Sequence, residues 1–130
     1  MNKYYIILLA LTLPLVFSSC SKDKEDLLRG TWERVNVENI NDSYSYEWVF
    51  NEGELTMYRR LKTDPSVFTV TDRGFYLLEN TPLNTTLQLI DISIGVWNEK
   101  WDVIKLDGEQ LIIKLDIVGG VLLREFVKKN

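Results

Sequence analysis

The sequence predicts an all-β fold of about eight antiparallel strands, closed into an up-and-down barrel. Three observations predict it. Apolar residues recur with period two along the chain, the pattern of half-buried strands. Turn-forming stretches, Asn51 to Glu54, Asp107-Gly108 and Gly119-Gly120, fall between those runs, where hairpins need left-handed backbone. No long stretch carries helical periodicity; at most, Lys24 to Arg29 forms one turn. Closure follows because an open meander leaves two unpaired edges.

The first strand is expected within Leu27 to Val37, with Trp32 plugging one end of the barrel. Tyr44 to Phe50 alternates clearly: Tyr44, Tyr46, Trp48 and Phe50 share one face, and Ser45 and Glu47 mark the other as solvent. Leu55 to Leu61 returns, and Asp64-Pro65 punctuates a loop. Val67 to Thr71 and Gly74 to Leu78 read as a pair joined through Asp72-Arg73-Gly74. Thr85 to Ile92 is rich in β-branched residues, which favour strands. Ser93 to Asn98 stays open between strand and loop, since Gly95 speaks against a continuous strand. Trp101 to Leu106 and Gln110 to Ile117 form a hairpin. Ile104 and Leu106 are expected on the same side as Leu111, Ile113 and Leu115, with Lys105, Lys114 and Asp116 in water. Val121 to Val127 is the last strand.

Residues 1–19 lie outside this pattern. Lys3 precedes an apolar run, Tyr4 to Phe17, broken only by Thr12 and Pro14. A membrane-spanning helix needs roughly 20 apolar residues, so the layout is that of a secretory signal peptide. Val16-Phe17-Ser18-Ser19-Cys20 resembles the lipobox of bacterial lipoproteins, with Phe17 where Leu is commonest. The resemblance implies that Cys20 takes a diacylglyceryl group and that the new amino terminus is acylated by a fatty acid such as palmitate. Cys20 is the only cysteine, so no internal disulfide competes for it. Two or more acyl chains hold a protein stably on a membrane. Ser21 to Asp26 is short and charged, hence expected as a solvated tether. It also resembles the acidic stretch after the lipidated cysteine in surface-exported lipoproteins of Bacteroidetes. Outer-membrane anchorage is therefore expected, with the periplasmic and cell-surface faces both open. The chain divides into a signal peptide (1–19), a lipidated cysteine and polar tether (20–26), and a barrel domain (27–130).

The formal net charge is −4, and the signal peptide carries one lysine and no acid. A chain of that sign lacks the footprint of a nucleic-acid binder. There is no histidine, and the one cysteine is assigned to lipid. Ser–His–Asp and Cys–His catalysis and a His/Cys zinc site are thereby excluded. Asp102, Asp107, Glu109 and Asp116 lie in or beside a surface hairpin and read as solvated charges. The expectation is a non-enzyme without cofactor or metal. The candidate functional residues are aromatic: Tyr44, Tyr46, Trp48, Phe50 and Tyr58 are candidates to line an apolar pocket. Filling a solid core is the competing role for them. Trp97 and Trp101 flank the polar loop Asn98-Glu99-Lys100 and are expected at the rim or on a partner surface.

Leu28-x-Gly30-x-Trp32 at the start of an all-β chain resembles the Gly-x-Trp opening of the lipocalins and the wider calycin superfamily. With the lipobox, the chain resembles small lipocalin-like lipoproteins of Bacteroidetes. Trp48-Val49-Phe50-Asn51-Glu52-Gly53 and the hairpin Ile104 to Leu111 fit that pattern, though the glycine of the aromatic strand comes one residue early. The resemblance implies a barrel that holds an apolar small molecule, and an arginine from the end of the chain packed over Trp32; Arg124 is the candidate. Arg124-Glu125-Phe126 is also similar to the Arg-x-Tyr of fatty-acid-binding proteins, where the arginine meets a carboxylate, but the chain is too short for that family. Two functions stand: an envelope binding module for an apolar small molecule, or a solid barrel whose loops contact an envelope protein.

Overall fold

The computed structural model describes residues 22–35 and 39–130. Eight strands close into a barrel in sequence order: β1 (Gly30–Arg34), β2 (Tyr44–Asn51), β3 (Glu54–Leu61), β4 (Phe68–Asn80), β5 (Thr85–Ile90), β6 (Lys100–Leu106), β7 (Gln110–Ile117) and β8 (Gly120–Lys128). Every neighbouring pair is antiparallel, and β8 returns to β1 through Trp32↔Lys128, Glu33↔Val127 and Arg34↔Phe126. The all-β, eight-stranded, up-and-down expectation is what the chain adopts. The segment expected as a signal peptide, Cys20, and Asn36 and Val37 of the expected first strand lie outside the described residues; Val35 is described and follows the strand's end at Arg34.

Because the strands alternate in direction, the turns after β2, β4 and β6 gather at one end with the entry to β1. The loops after β1, β3, β5 and β7 gather at the other. The first end is plugged. Residues 22–28 are helical, longer than the single turn expected of Lys24 to Arg29, and they take up most of the stretch expected as a solvated tether. What holds them is specific. Leu28 is wholly buried beneath the barrel with Trp32. The last carbonyls of a helix lack intrahelical donors. Here the Trp32 indole Nε1–H donates to the Leu28 carbonyl at 2.7 Å, and the Lys128 ammonium donates to that of Leu27 at 3.0 Å. Lys128 also stands over the Trp32 ring, 5.1 Å from its centroid. Lys128, not Arg124, is therefore the cation over the plug tryptophan, because β8 pairs Lys128 directly with Trp32. Gly30 makes this possible. Its φ is +129°, and a Cβ there would sit 2.9 Å from the Lys128 Cε.

β4 runs unbroken through Asp72-Arg73-Gly74, the segment expected to join two strands. Gly74 serves close approach rather than a turn: a Cβ on it would meet the Ile90 carbonyl oxygen at 2.3 Å. The register against β3 slips between Met57 and Tyr58, a bulge that bends the long strand. A second bulge, between Val103 and Lys105, corrects the β6–β7 hairpin. Ile104 is its extra residue and is exposed, while Val103 packs against the core in its place.

The middle of the barrel is filled by rings. Trp48 meets Trp97 at 4.8 Å and Phe126 at 4.7 Å between centroids, Phe50 meets Tyr76 at 5.1 Å, and Trp97 stacks on Trp101 at 5.2 Å. Leu55, Met57, Leu87, Leu89, Ile92, Leu106, Leu111 and Ile113 pack around these rings in the same core. Tyr76 links it to the plug, since its hydroxyl donates to the Glu25 carboxylate at 2.5 Å. Burial first, and then that hydrogen bond, pushes the Tyr76 hydroxyl up to about 12. A pKa raised above the unfolded value near 10 stabilises the fold fully below about pH 10, and that contribution is lost as pH rises through 12. Absorbance titration of tyrosinate is expected to show Tyr76 among the last tyrosines to ionise, and Tyr76→Phe to remove that late step. A variant that instead loses a tyrosine titrating near 10 contradicts the buried pairing with Glu25.

Candidate functional site

The open end is built from the same alternation that fills the core. On β1, β2 and β8 the inward positions Trp32, Trp48 and Phe126 are buried. Two residues along, past the rings, stand Arg34, Tyr46 and Arg124; on β3, Arg59 follows Met57 in the same way. Register sets their neighbours: Tyr46 pairs with Arg59, while Arg34 pairs with buried Phe126 and Arg124 with buried Ile113. Each guanidinium lies over a ring, Arg34 over Tyr46 at 4.8 Å, Arg59 over Tyr44 at 4.4 Å and Arg124 over Trp97 at 5.8 Å. Such contacts are worth about 0.5–2 kcal/mol and hold a flexible side chain in place. Among the described residues no carboxylate lies within ion-pair distance of Arg59 or Arg124. A depression of about 240 Å³ opens between the ends of β1 and β2, lined in part by Arg34, Tyr44, Tyr46 and Lys62.

Asp42 orders the tyrosine side of this mouth. Its carboxylate accepts from the Tyr44 backbone N–H at 3.0 Å and from the Tyr46 hydroxyl at 2.9 Å. Those two bonds, the backbone one first, hold its carboxyl below the usual range, and the same contact raises Tyr46. The floor is Trp97, on a 3₁₀ turn Gly95–Asn98 that settles the segment left open between strand and loop. Asn98 folds that turn inward, its side chain donating to the Ile92 carbonyl at 2.6 Å and accepting from the Ile92 N–H at 2.8 Å. Exposed aliphatic residues ring the opening on its loops: Ile40, Val67, Ile94, Val96 and Val118.

The expected lining residues are thus distributed among three places. Tyr44 and Tyr46 line the mouth and are half-buried. Trp48 and Phe50 are sealed in the ring core. Tyr58 faces outward, against Phe68 at 5.9 Å, because it pairs with outward Glu47. Trp97 and Trp101 are not rim residues: both are buried, Trp101 as an inward strand position opposite Leu87. Trp32 is fully buried and bonded to the Leu28 carbonyl at the helix end of the barrel. Cys20 lies outside the described residues.

Glu47 departs furthest from expectation. It faces outward, as the alternation says, yet only 2 % of it is exposed. Arg60 donates to it through Nε at 2.9 Å and Nη2 at 3.2 Å, and Lys129 through Nζ at 2.5 Å. Burial alone raises a carboxyl, but these hydrogen bonds and charges outweigh it and hold Glu47 below its ordinary value. Arg34, Arg59, Lys128 and Glu47 are the residues that the sequence did not single out as functional.

The fold and these sites define an eight-stranded up-and-down β-barrel, shut at one end and cation-lined at the other. A scan of family models, a search of the curated proteins and a search of the solved structures each find no match to the chain.

Proposed function

We propose that this chain is a lipid-anchored outer-membrane protein of lipocalin-like build, of the kind found in Bacteroidetes. In this reading it is not an enzyme, and it captures at its mouth a small molecule that joins an apolar body to an anionic group. The observation that carries the reading is the band of Arg34, Arg59 and Arg124 facing inward over Tyr46, Tyr44 and Trp97. Guanidinium groups recognise carboxylates, sulfonates and phosphates through paired N–H donors. Rings beneath them supply the apolar contact that fixes a ligand's body. The rings at mid-barrel make the ligand shallow, seated on Trp97 rather than threaded past Trp48. The address rests on the lipobox around Cys20 and on the acidic stretch behind it.

The second reading, a solid barrel that works through its loops, is favoured by those same mid-barrel rings and by the exposed aliphatic loop tips. The two separate with anilinonaphthalene sulfonate, an anionic aromatic probe, under conditions where the near-ultraviolet circular dichroism is native. Capture at the mouth gives saturable probe fluorescence. Hydrogen bonds to charged groups are worth about 1.5–3 kcal/mol, so Arg59→Gln with Arg124→Gln is expected to weaken binding about tenfold or more. The sulfonate-free analogue is expected to bind as weakly as the double variant binds the probe. No saturable binding, or equal affinity of parent and double variant, leaves the solid barrel.

For the anchor, Cys20→Ser is expected to leave a folded barrel in the aqueous fraction. Labelled palmitate still incorporated into that variant would place the acylation site elsewhere.

A further inference from the structure

The outer wall of the barrel carries a second concave site, separate from the mouth. A cleft of about 420 Å³ opens on β1 to β4, lined in part by Thr31, Glu47, Tyr58, Arg60, Phe68 and Lys129. Its polar side is built around a buried carboxylate, Glu47. Arg60 and Lys129 hold Glu47 between them, and Lys129 reaches Glu33 at 3.5 Å as well. The Lys129 backbone N–H donates to the Thr31 carbonyl at 2.9 Å, which holds that backbone beside the cleft. Its apolar side is a ring left open to water. Phe68 is 54 % exposed, yet it is held in place, with the Arg60 guanidinium 4.9 Å from its centroid and Tyr58 edge-on to it.

The chemistry left available in this cleft narrows the ligand. Two carboxylates, Glu33 and Glu47, match two cations, Arg60 and Lys129, in number, so no excess charge among these four draws an ion. An anion finds both cations already engaged. A cation finds Glu47 buried and already accepting three hydrogen bonds. What remains is short-ranged and directional. Arg60 donates through Nε and Nη2 to Glu47 and through Nη1 to the Pro65 carbonyl, which leaves two of its five N–H groups. Lys129 donates to Glu47 with N–H capacity to spare, and Thr31 and Tyr58 add hydroxyls that both donate and accept. Beside them stands the Phe68 ring, which already meets the Arg60 guanidinium and keeps about half of its surface open to the weakly positive C–H groups of a ligand. A molecule with one face of C–H groups and an edge of hydroxyls satisfies all of this at once.

We propose that this outer cleft is a binding site for neutral saccharides, with Phe68 as the stacking platform and Arg60, Lys129, Thr31 and Tyr58 as hydroxyl partners. The inference stands apart from the mouth site and does not need it.

The test is calorimetric titration of the mature protein with neutral oligosaccharides of glucose, xylose, mannose and galactose. At least one is expected to bind with Kd at or below about 1 mM. Phe68→Ala, at an exposed position and with native circular dichroism as the control, is expected to weaken that binding about tenfold or more. Tyr58→Phe, which keeps the ring and removes the hydroxyl, is expected to weaken it by a smaller factor. Saturating anilinonaphthalene sulfonate is expected to leave the saccharide affinity unchanged, because that probe occupies the mouth. No binding by any member of the panel overturns the proposal. So does binding that Phe68→Ala leaves unaltered, or binding that the sulfonate displaces. A failure of the sulfonate probe to bind at all bears on the mouth and not on this cleft.

Discussion

Everything else in this barrel depends on how one indole is held. Trp32 donates to the Leu28 carbonyl, Lys128 donates to the Leu27 carbonyl, and the ammonium lies over the ring. Three separate pieces of chain, the short helix, β1 and β8, meet in that contact. The seam between β1 and β8 has three registered pairs, extended by backbone bonds from Val35 to Glu125 and from Lys129 to Thr31. The side chains reinforce the seam and cap the helix in the same act. A helix of one to two turns has no stability of its own; this one persists because its orphan carbonyls find donors and Leu28 finds the core.

Shutting one end that way sets where function can reside. The rings from Trp48 to Trp101 occupy the middle, and what the barrel offers to a ligand is therefore its other end and its outer wall. Both places repeat one device, an arginine laid across an aromatic ring: Arg34, Arg59 and Arg124 inside the mouth, Arg60 on the wall. The electrostatic settings differ. On the wall, Glu47 answers Arg60 and leaves a neutral surface. In the mouth, Arg59 and Arg124 meet no carboxylate among the described residues. On that difference rest the two proposed sites, one for a neutral polyol on the wall and one for an anion in the mouth.

The architecture was legible because β-periodicity is local. The alternation in Tyr44 to Phe50 and the turns at Gly53, Gly108 and Gly119 specify strands and hairpins without reference to the rest of the chain. What misled was local too. Asp72-Arg73-Gly74 carries turn chemistry, and only the nearness of Ile90 shows that Gly74 is there for room. Ile104 fits the alternation and is displaced from it by a bulge, which a count by twos cannot foresee. Trp97 beside a polar loop reads as a rim residue until Asn98 bonds back to Ile92. Glu47 reads as solvated because its cations come from Arg60 and Lys129, distant in sequence. The mouth arginines did leave a signal. Arg34, Arg59 and Arg124 each sit two residues from an inward apolar position, where period two demands an inward side chain. Charged residues at that phase near a strand end mark the lip of a barrel.

The most direct test of the plug is the urea unfolding of Trp32→Ala. With the indole fully buried and its N–H bonded, the variant is expected to lose about 3–5 kcal/mol, the range for emptying a large buried aromatic. Against a total near 5–15 kcal/mol, that leaves a barely folded barrel and a midpoint far below that of the parent. A loss under about 1 kcal/mol, close to that of ordinary surface substitutions, would contradict the dependence of the barrel on Trp32.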